Sequence, residues 1–439
     1  MNYREALSWI HSLGRFGSRL GLERIRRLLD LLGNPHSRVP IIHVGGTNGK
    51  GSVTALTASV LESAGYRTGR YTSPYLEDFR ERIVLGGQMI GRRRMASLTA
   101  KVRQAAERMV LAGEDSPTEF EVVTALGFLY FAEEAADFVC LEVGLGGRAD
   151  ATNVVETPRV VAITTIGLDH TRELGDTPES IAGEKAGIIK AGCPVVTGVT
   201  APGPLAVLED IARLRGAPLY RAGRDFRWEA GESRPGGQTF SLWASREYAG
   251  LGLALAGPHQ LANAAVAVVC AEILEGQGVV VGEAAIREGL AAVRWPGRLE
   301  LIEGSPGIVL DAAHNREGAA ALGEALNRLW PGRRKVLVMG VLADKDAPGM
   351  LAELVPRVEA LICCRPLSPR ALAPSTLAGM ASSMAGQTVP ILVEEAIPAA
   401  LRRALRVAGR EDLVVVAGSL YLVGAARHAV RRLGYPVDG

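Results

Sequence analysis

Four short segments carry side chains whose types and spacing suit phosphate and metal chemistry. The strand-like PIIHVG runs straight into Gly46–Ser52 (GTNGKGS), and an apolar helical pattern follows. Glycines there let backbone N–H groups turn in around phosphate oxygens. The helix start adds partial positive charge, and Lys50 supplies a compact cation. The match to the general phosphate-loop pattern is incomplete. Val44 stands five residues before Gly49, where a glycine would sit, and Gly51 separates Lys50 from Ser52. An ordinary Gly-rich turn is the competing reading. The second segment, Leu141–Asn153 (LEVGLGGRADATN), places Glu142 at the end of an apolar run. A carboxylate at a strand end, beside a phosphate loop, suits magnesium. The bland alternative is a carboxylate that caps backbone donors. Gly144, Gly146 and Ala149 also satisfy the dinucleotide fingerprint G-x-G-x-x-A. Against that reading, DATN opens no convincing helix, and a phosphate loop already occupies an earlier strand end.

The third segment is GLDH, where Asp169-His170 follows the apolar run VVAITTI. A lone histidine there is more often structural than a ligand. Were Glu142 and His170 carried on adjacent parallel strands, both would point into one crevice with the phosphate loop. The fourth is Lys185, on a helix that begins near Thr177, with Asp176 or Thr177 as its N-cap. It reads either as a site lysine or as a solvated lysine paired with a neighbouring acid. Only six of the 49 basic residues are lysine. Arginine serves where charge alone is wanted, so a remaining lysine points to a compact ammonium or an amine that can lose its proton.

Elements of two kinds must position these residues. Pro40–Gly45, Phe138–Val143, Val160–Ile166 and Pro194–Val199 read as buried parallel strands. Ser52–Ala64 and Glu119–Ala135 read as helices between them, so the chain is α/β with helices on both faces of a sheet. From Pro202 to about Gly250 the pattern turns irregular and reads as a short antiparallel excursion. A helix follows over His259–Leu274. Trp295-Pro296-Gly297-Arg298 looks like a junction, and the boundary falls near Gly297–Ile302. A second α/β series then uses Gly307–Asp311, Lys335–Gly340, Ala360–Cys364, Pro390–Val393 and Asp412–Ala417 as strands.

The bulk composition excludes other classes. A chain of 439 residues is too long for one ordinary core. Its net charge of +2, with no basic tract, gives no nucleic-acid surface. The apolar stretch worth testing, Leu413–Ala426, contains Gly418, Ser419 and Gly424 and falls short of the roughly 20 residues a membrane span needs. Five cysteines without metal-like spacing read as reduced, buried thiols, and the charged amphipathic N-terminus reads as cytoplasmic.

Taken in order, GTNGKGS, TSPYL (Thr72–Leu76), ERI (Glu81–Ile83), EVGLGGRADATN, GLDH, EKAGIIK, GPHQLANAA (Gly257–Ala265), WPGR, LDAAHN (Leu310–Asn315) and GSLYLVG resemble the folylpolyglutamate synthase/dihydrofolate synthase family of the Mur-ligase superfamily. The resemblance runs from about Leu13 to Gly424. It implies an N-terminal P-loop ATPase-like domain with a mostly parallel sheet over residues 1–297. A smaller C-terminal α/β, Rossmann-like glutamate-ligase domain would follow over residues 298–439. It implies that Thr47, Asn48, Gly49, Lys50, Gly51 and Ser52 hold ATP phosphates, with Asn263 and Arg298 on the nucleotide. Ser73, Glu142 and His170 would bind two magnesium ions, and Lys185 would be carbamylated into an anionic ligand. Asp311 and His314 would close over ATP and the incoming L-glutamate, with Ser419 at the glutamate. Lys50, Lys185, Asp311 and His314 would be the catalytic set. Thr118, Glu119, Phe120, Glu121, Ala149, Asp150 and Ala151 would line a pterin pocket. The sequence departs from the family pattern at Ala312, usually glycine, and at Tyr75, often histidine.

The expected activity is ATP-dependent ligation of glutamate to a folate, and also to dihydropteroate, through an acyl phosphate, by a monomer. An amino-acid ligase acting on a non-folate carboxylate is the alternative. A P-loop ATPase without ligation is a third reading.

Overall fold

The computed structural model describes residues 1–16, 21–385 and 389–437. Its first sheet has eight strands: β1 (Ile41–Gly45), β2 (Thr68–Tyr71), β3 (Ile83–Leu85), β4 (Gln88–Met89), β5 (Phe138–Glu142), β6 (Val160–Ile163), β7 (Val195–Thr197) and β8 (Leu219–Arg221). They lie in the order β4-β3-β2-β5-β1-β6-β7-β8. The six from β2 to β8 are parallel, and β3 and β4 add an antiparallel edge.

Side-chain alternation along the strands builds a core on each face. Ile42, Val44 and Cys140 pack with Val53, Leu56 and Val60 of helix Lys50–Ser63 and with helix Pro258–Gly276. Ile41, Val139 and Leu141 pack on the other face, against helices Arg92–Leu111 and Glu119–Glu133. Continued one step past Leu141, the alternation turns Glu142 to the face of the Lys50 helix.

Two expectations need correction. Glu142 and His170 do not follow adjacent strands, because β1 lies between β5 and β6. The central strand carries the phosphate loop, and the two side chains flank it. The segment 202–250 is also more regular than its prolines suggest. Helix Pro202–Leu214 and parallel strand β8 come first. Only then does an antiparallel sheet form, from β9 (Arg227–Arg234), β10 (Gly237–Trp243) and β11 (Glu247–Leu253). Pro202 sits at the helix start, where a missing N–H costs nothing.

The second large sheet has six strands: β12 (Glu300–Ile302), β13 (Gly307–Leu310), β14 (Lys335–Met339), β15 (Ala360–Cys363), β16 (Ile391–Val393) and β17 (Leu413–Ala417). Its order is β12-β13-β17-β14-β15-β16, parallel except for β12. It forms a C-terminal α/β domain with its own cores on both faces. Among the described residues, no helix is long and apolar enough to cross a membrane.

Candidate active site

The phosphate loop is shaped by what its glycines allow. Gly46 and Gly49 have φ of +141° and +85°. A Cβ on Gly46 would lie 1.9 Å from Thr164 Oγ1, and one on Gly49 would lie 2.3 Å from Asn263 Oδ1. Any side chain would therefore push the loop off its supports. Thr164 Oγ1 donates to the Asn48 carbonyl at 2.6 Å, and Thr165 Oγ1 accepts from Asn48 N–H at 3.0 Å. Lys50 begins the helix, and its Nζ donates to the Thr47 carbonyl at 3.0 Å. Gly51 packs against the Trp295 ring, and Ser52 is buried in the first turn.

The charged groups gather around this loop. Glu142, the last residue of β5, is buried and accepts Ser73 N–H at 3.1 Å. Burial raises its pKa, against the opposing pull of the Lys50 ammonium. The same burial lowers Lys50, while Glu142 and Asp169 hold it up. Arg298 adds positive potential at both. Lys185 ends helix Pro178–Lys185, which Thr177 caps. Its Nζ donates to the Gly46 carbonyl at 2.8 Å, and burial, aided by Lys50, lowers its pKa to about 7. Lys50, Glu142 and Lys185 therefore share one crevice at the carboxyl end of the sheet.

The C-terminal domain closes that crevice. Lys345 Nζ lies 2.5 Å from Asp169 Oδ1 and 3.4 Å from His170 Nε2. His314 Nε2 lies 3.7 Å from Asp169 Oδ2. Asn315 Nδ2 donates to Asn48 Oδ1 at 3.0 Å, and Asn48 Nδ2 donates to Glu317 at 3.1 Å. Burial alone would raise the Asp169 carboxyl, but the nearby His314 ring and the Lys345 ammonium hold it well below the usual carboxylate range. Burial and Lys345 lower His170. Sequence reasoning did not single out Lys345, Asn315 or Glu317. The scarcity of lysine was the one signal that pointed at Lys345.

Several expected residues turn out to be occupied with structure. Thr118 and Glu121 form a reciprocal capping box on helix Glu119–Glu133, and Glu121 also pairs with Arg24 at 3.1 Å. Glu119 meets His11 at 3.2 Å. Asp150 accepts from Leu145 N–H, Thr152 N–H and Thr152 Oγ1–H at 2.8, 3.0 and 2.5 Å. These carboxylates shape the expected pterin wall rather than offer it free polar groups. Phe120 supplies its apolar surface, with its ring against Gly144. Ala149 and Ala151 flank Asp150 without polar side chains of their own.

Ser419 is buried and caps helix Leu420–Arg432 through Tyr421 N–H. Asp311 accepts Leu299 N–H and Ala313 N–H, both at 2.8 Å, and so braces the junction at Gly297–Leu299. The metal set is also less complete than expected. Among the described residues, no three His, Cys, Asp or Glu side chains are arranged so that they could hold a metal ion. His170 Nε2 faces the Lys345 ammonium, a direction it cannot at the same time offer to a cation.

A phosphate loop in one α/β domain, closed by a second α/β domain that reaches it with charged side chains, defines a two-domain nucleotide-dependent enzyme. Comparison with known proteins sharpens this. The Mur ligase middle domain matches residues 44–271, and the Mur ligase glutamate ligase domain matches residues 297–420. A dihydrofolate synthase/folylpolyglutamate synthase of Bacillus subtilis is 39% identical over 98% of this chain and 99% of its own. A folylpolyglutamate synthase of Lacticaseibacillus casei is 38% identical, with the same coverage. The Mycobacterium tuberculosis folylpolyglutamate synthase complexed with ADP and AMPPCP superposes with a TM-score of 0.90 at 34% identity, over 97% of this chain and 98% of that one. An Escherichia coli structure in complex with DHPP and ADP gives 0.87 at 32%, over 98% of both chains. The chain belongs to the folylpolyglutamate synthase/dihydrofolate synthase family of Mur ligases, and it is an ATP-dependent ligase.

Proposed function

We propose that this ligase joins L-glutamate to the carboxylate of a folate, and of dihydropteroate, at the expense of ATP. The observation that carries the reading is the convergence of Lys50, Glu142 and Lys185 with Asp169, His170, His314 and Lys345 across two domains. The relatives' names supply the substrate class.

A carboxylate does not condense with an amine in water. Transfer of the ATP γ-phosphoryl group to a carboxylate oxygen makes an acyl phosphate and releases ADP. The neutral glutamate amine then forms the C–N bond, phosphate leaves, and the amine proton passes to solvent. Of Thr47 to Ser52, Gly49 to Ser52 suit the phosphates through the backbone donors of the first turn of helix Lys50–Ser63, while Thr47 N–H and Asn48 N–H tie the loop to Thr165. Lys50 places a cation where charge spreads during transfer. Asn263 and Arg298 approach the loop from the helix and the junction. Glu142 and Ser73 suit a magnesium ion, since burial leaves the Glu142 charge under-compensated. His170 would join them once its ring turns away from Lys345, which keeps its contact with Asp169. Bound magnesium would draw charge from the phosphate oxygens. Two protein ligands suffice, because this ion keeps waters and substrate oxygens in its shell.

Lys185 is the candidate for carbamylation. A buried amine with a pKa near 7 is partly neutral at neutral pH. Its nitrogen can then attack carbon dioxide, forming an N-carboxylate and releasing a proton. We read the junction at residue 297 as the hinge between units 1–297 and 298–439. A cavity of about 1050 Å³ lies between Tyr75–Glu77 and the helix that Ser419 caps, with Arg402 and Arg432 on its rim. The five cysteines are free and buried, which supports a cytoplasmic setting. We read the enzyme as a monomer.

The deciding experiment is glutamate-dependent ADP release, with dihydropteroate and tetrahydrofolate as separate acceptors, in bicarbonate-containing and carbon-dioxide-free buffer. Turnover is expected with both acceptors and should fall without carbon dioxide. ADP release that ignores glutamate and pterin would reject ligation on folate. Turnover equal in both buffers would reject the carbamate alone.

A further inference from the structure

Arg82 is a partly buried cation that the folded chain does not neutralise. Its neighbours show how unusual that is. Arg80 is bidentate on Asp78, at 3.0 and 2.7 Å. Glu81 spends its carboxylate on the backbone N–H groups of Leu76, Glu77 and Asp78, at 2.7, 2.9 and 2.7 Å. Arg82 has no carboxylate within ion-pair distance among the described residues. Its Nε is buried without a hydrogen-bond partner. Its guanidinium lies over two aromatic rings, 5.4 Å from Tyr75 and 5.3 Å from Phe79. Those rings hold the fork in place but satisfy none of its N–H donors. A desolvated donor of this kind is costly unless something accepts from it.

The place of Arg82 indicates what that something is. It immediately precedes β3, whose first residue, Ile83, pairs with Tyr71 of β2. Its charge is felt at Glu142 on one side and at Tyr71 and Tyr75 on the other. Tyr71 meets Phe120 of the expected pterin wall at 6.5 Å, and Phe79 meets His11, the partner of Glu119, at 5.3 Å. Arg82 therefore stands between the aromatic wall and the buried carboxylate beside the phosphate loop. An acceptor with its ring on that wall must bring its carboxylate through this position to reach the loop. We propose that Arg82 receives the acceptor's carboxylate and positions it for phosphorylation. A planar guanidinium fork is the side chain best matched to that group. This inference rests on the folate reading.

The test compares the binding of pteroate and of its carboxamide, pteroamide, to wild type, Arg82→Gln and Arg82→Lys, by quenching of tryptophan fluorescence. Wild type should prefer pteroate. Arg82→Gln should lose pteroate affinity by about 10- to 100-fold and keep pteroamide affinity within about twofold. Arg82→Lys should recover part of the loss, since it restores charge without the fork. Melting temperatures check that the variants fold. Equal losses for both ligands would show a structural role and overturn the inference, as would unchanged pteroate binding. Should wild type bind neither ligand and turn over no pterin acceptor, the folate reading fails, and the role of Arg82 falls with it.

Discussion

His43 shows how a single buried residue writes itself into the pH dependence of the fold. It is fully buried in β1, just ahead of the phosphate loop. Thr152 Oγ1 donates to Asp150, so its oxygen is left to accept from His43 Nε2 at 2.9 Å. That leaves Nδ1 bare, buried and unprotonated. Burial, reinforced by Lys190, lowers the pKa to about 3. The unfolded chain binds this proton near pH 6.5, and the folded one does not. The contribution is therefore present above pH 6.5 and is lost as pH falls from there toward about 3. Wild type should lose about 2 kcal/mol relative to His43→Gln between pH 7 and pH 5, a difference that urea melts at the two pH values can read. Parallel pH curves for the two proteins would refute it. Lys50, Glu142 and Lys185 were legible because each sits in a strand–loop–helix pattern that fixes its direction. His43 was not, because its partner, Thr152, lies 109 positions away.

Helix Lys50–Ser63 shows why the element, and not the glycine count, decides what a substitution does. Gly49 precedes it and Gly65 follows it, with φ of +85° and +90°. Both pay the left-handed cost when replaced by alanine, about 1 kcal/mol. A Cβ at Gly65 meets nothing within 4 Å, whereas one at Gly49 meets Asn263 at 2.3 Å. Gly65→Ala should cost about that 1 kcal/mol and leave ATP affinity unchanged. Gly49→Ala should cost more and weaken ATP binding by at least about tenfold, since the helix start must shift off the phosphate position. Calorimetric titration with AMPPCP separates the two, and equal ATP affinities would refute the argument. Element by element, the strands were legible because β-branched runs flanked by glycine and proline leave few alternatives. Helix Pro202–Leu214 was not, because its two early prolines read as breakers where they are in fact tolerated at the first turn.

At the scale of the whole molecule, two ion-pair clusters join the domains among the described residues, beside the Asn48 contacts to Asn315 and Glu317. One is a peripheral ion-pair set, in which Arg427 joins Glu77 to Glu300 and Arg431 adds to Glu77. The other is Lys345 with Asp169, and it sits in the crevice itself. Both side chains are about nine-tenths buried and come from different domains. The sequence could suggest two domains and a junction. It could not show which distant residues meet when the domains close, since no local pattern encodes that contact. If closure excludes water from an acyl phosphate, the residue that locks the crevice controls coupling more than nucleotide affinity. Lys345→Ala should leave AMPPCP affinity within about threefold, because the phosphate loop belongs to the other domain, yet lower glutamate ligation by about tenfold or more. ADP should then be released in excess of amide formed. Small-angle scattering with AMPPCP should show a larger radius of gyration for the variant. Asp169→Asn should add little to Lys345→Ala, as expected for two halves of one contact. A variant that stays as compact as wild type, and still forms one amide per ADP, would show that the crevice closes without this pair.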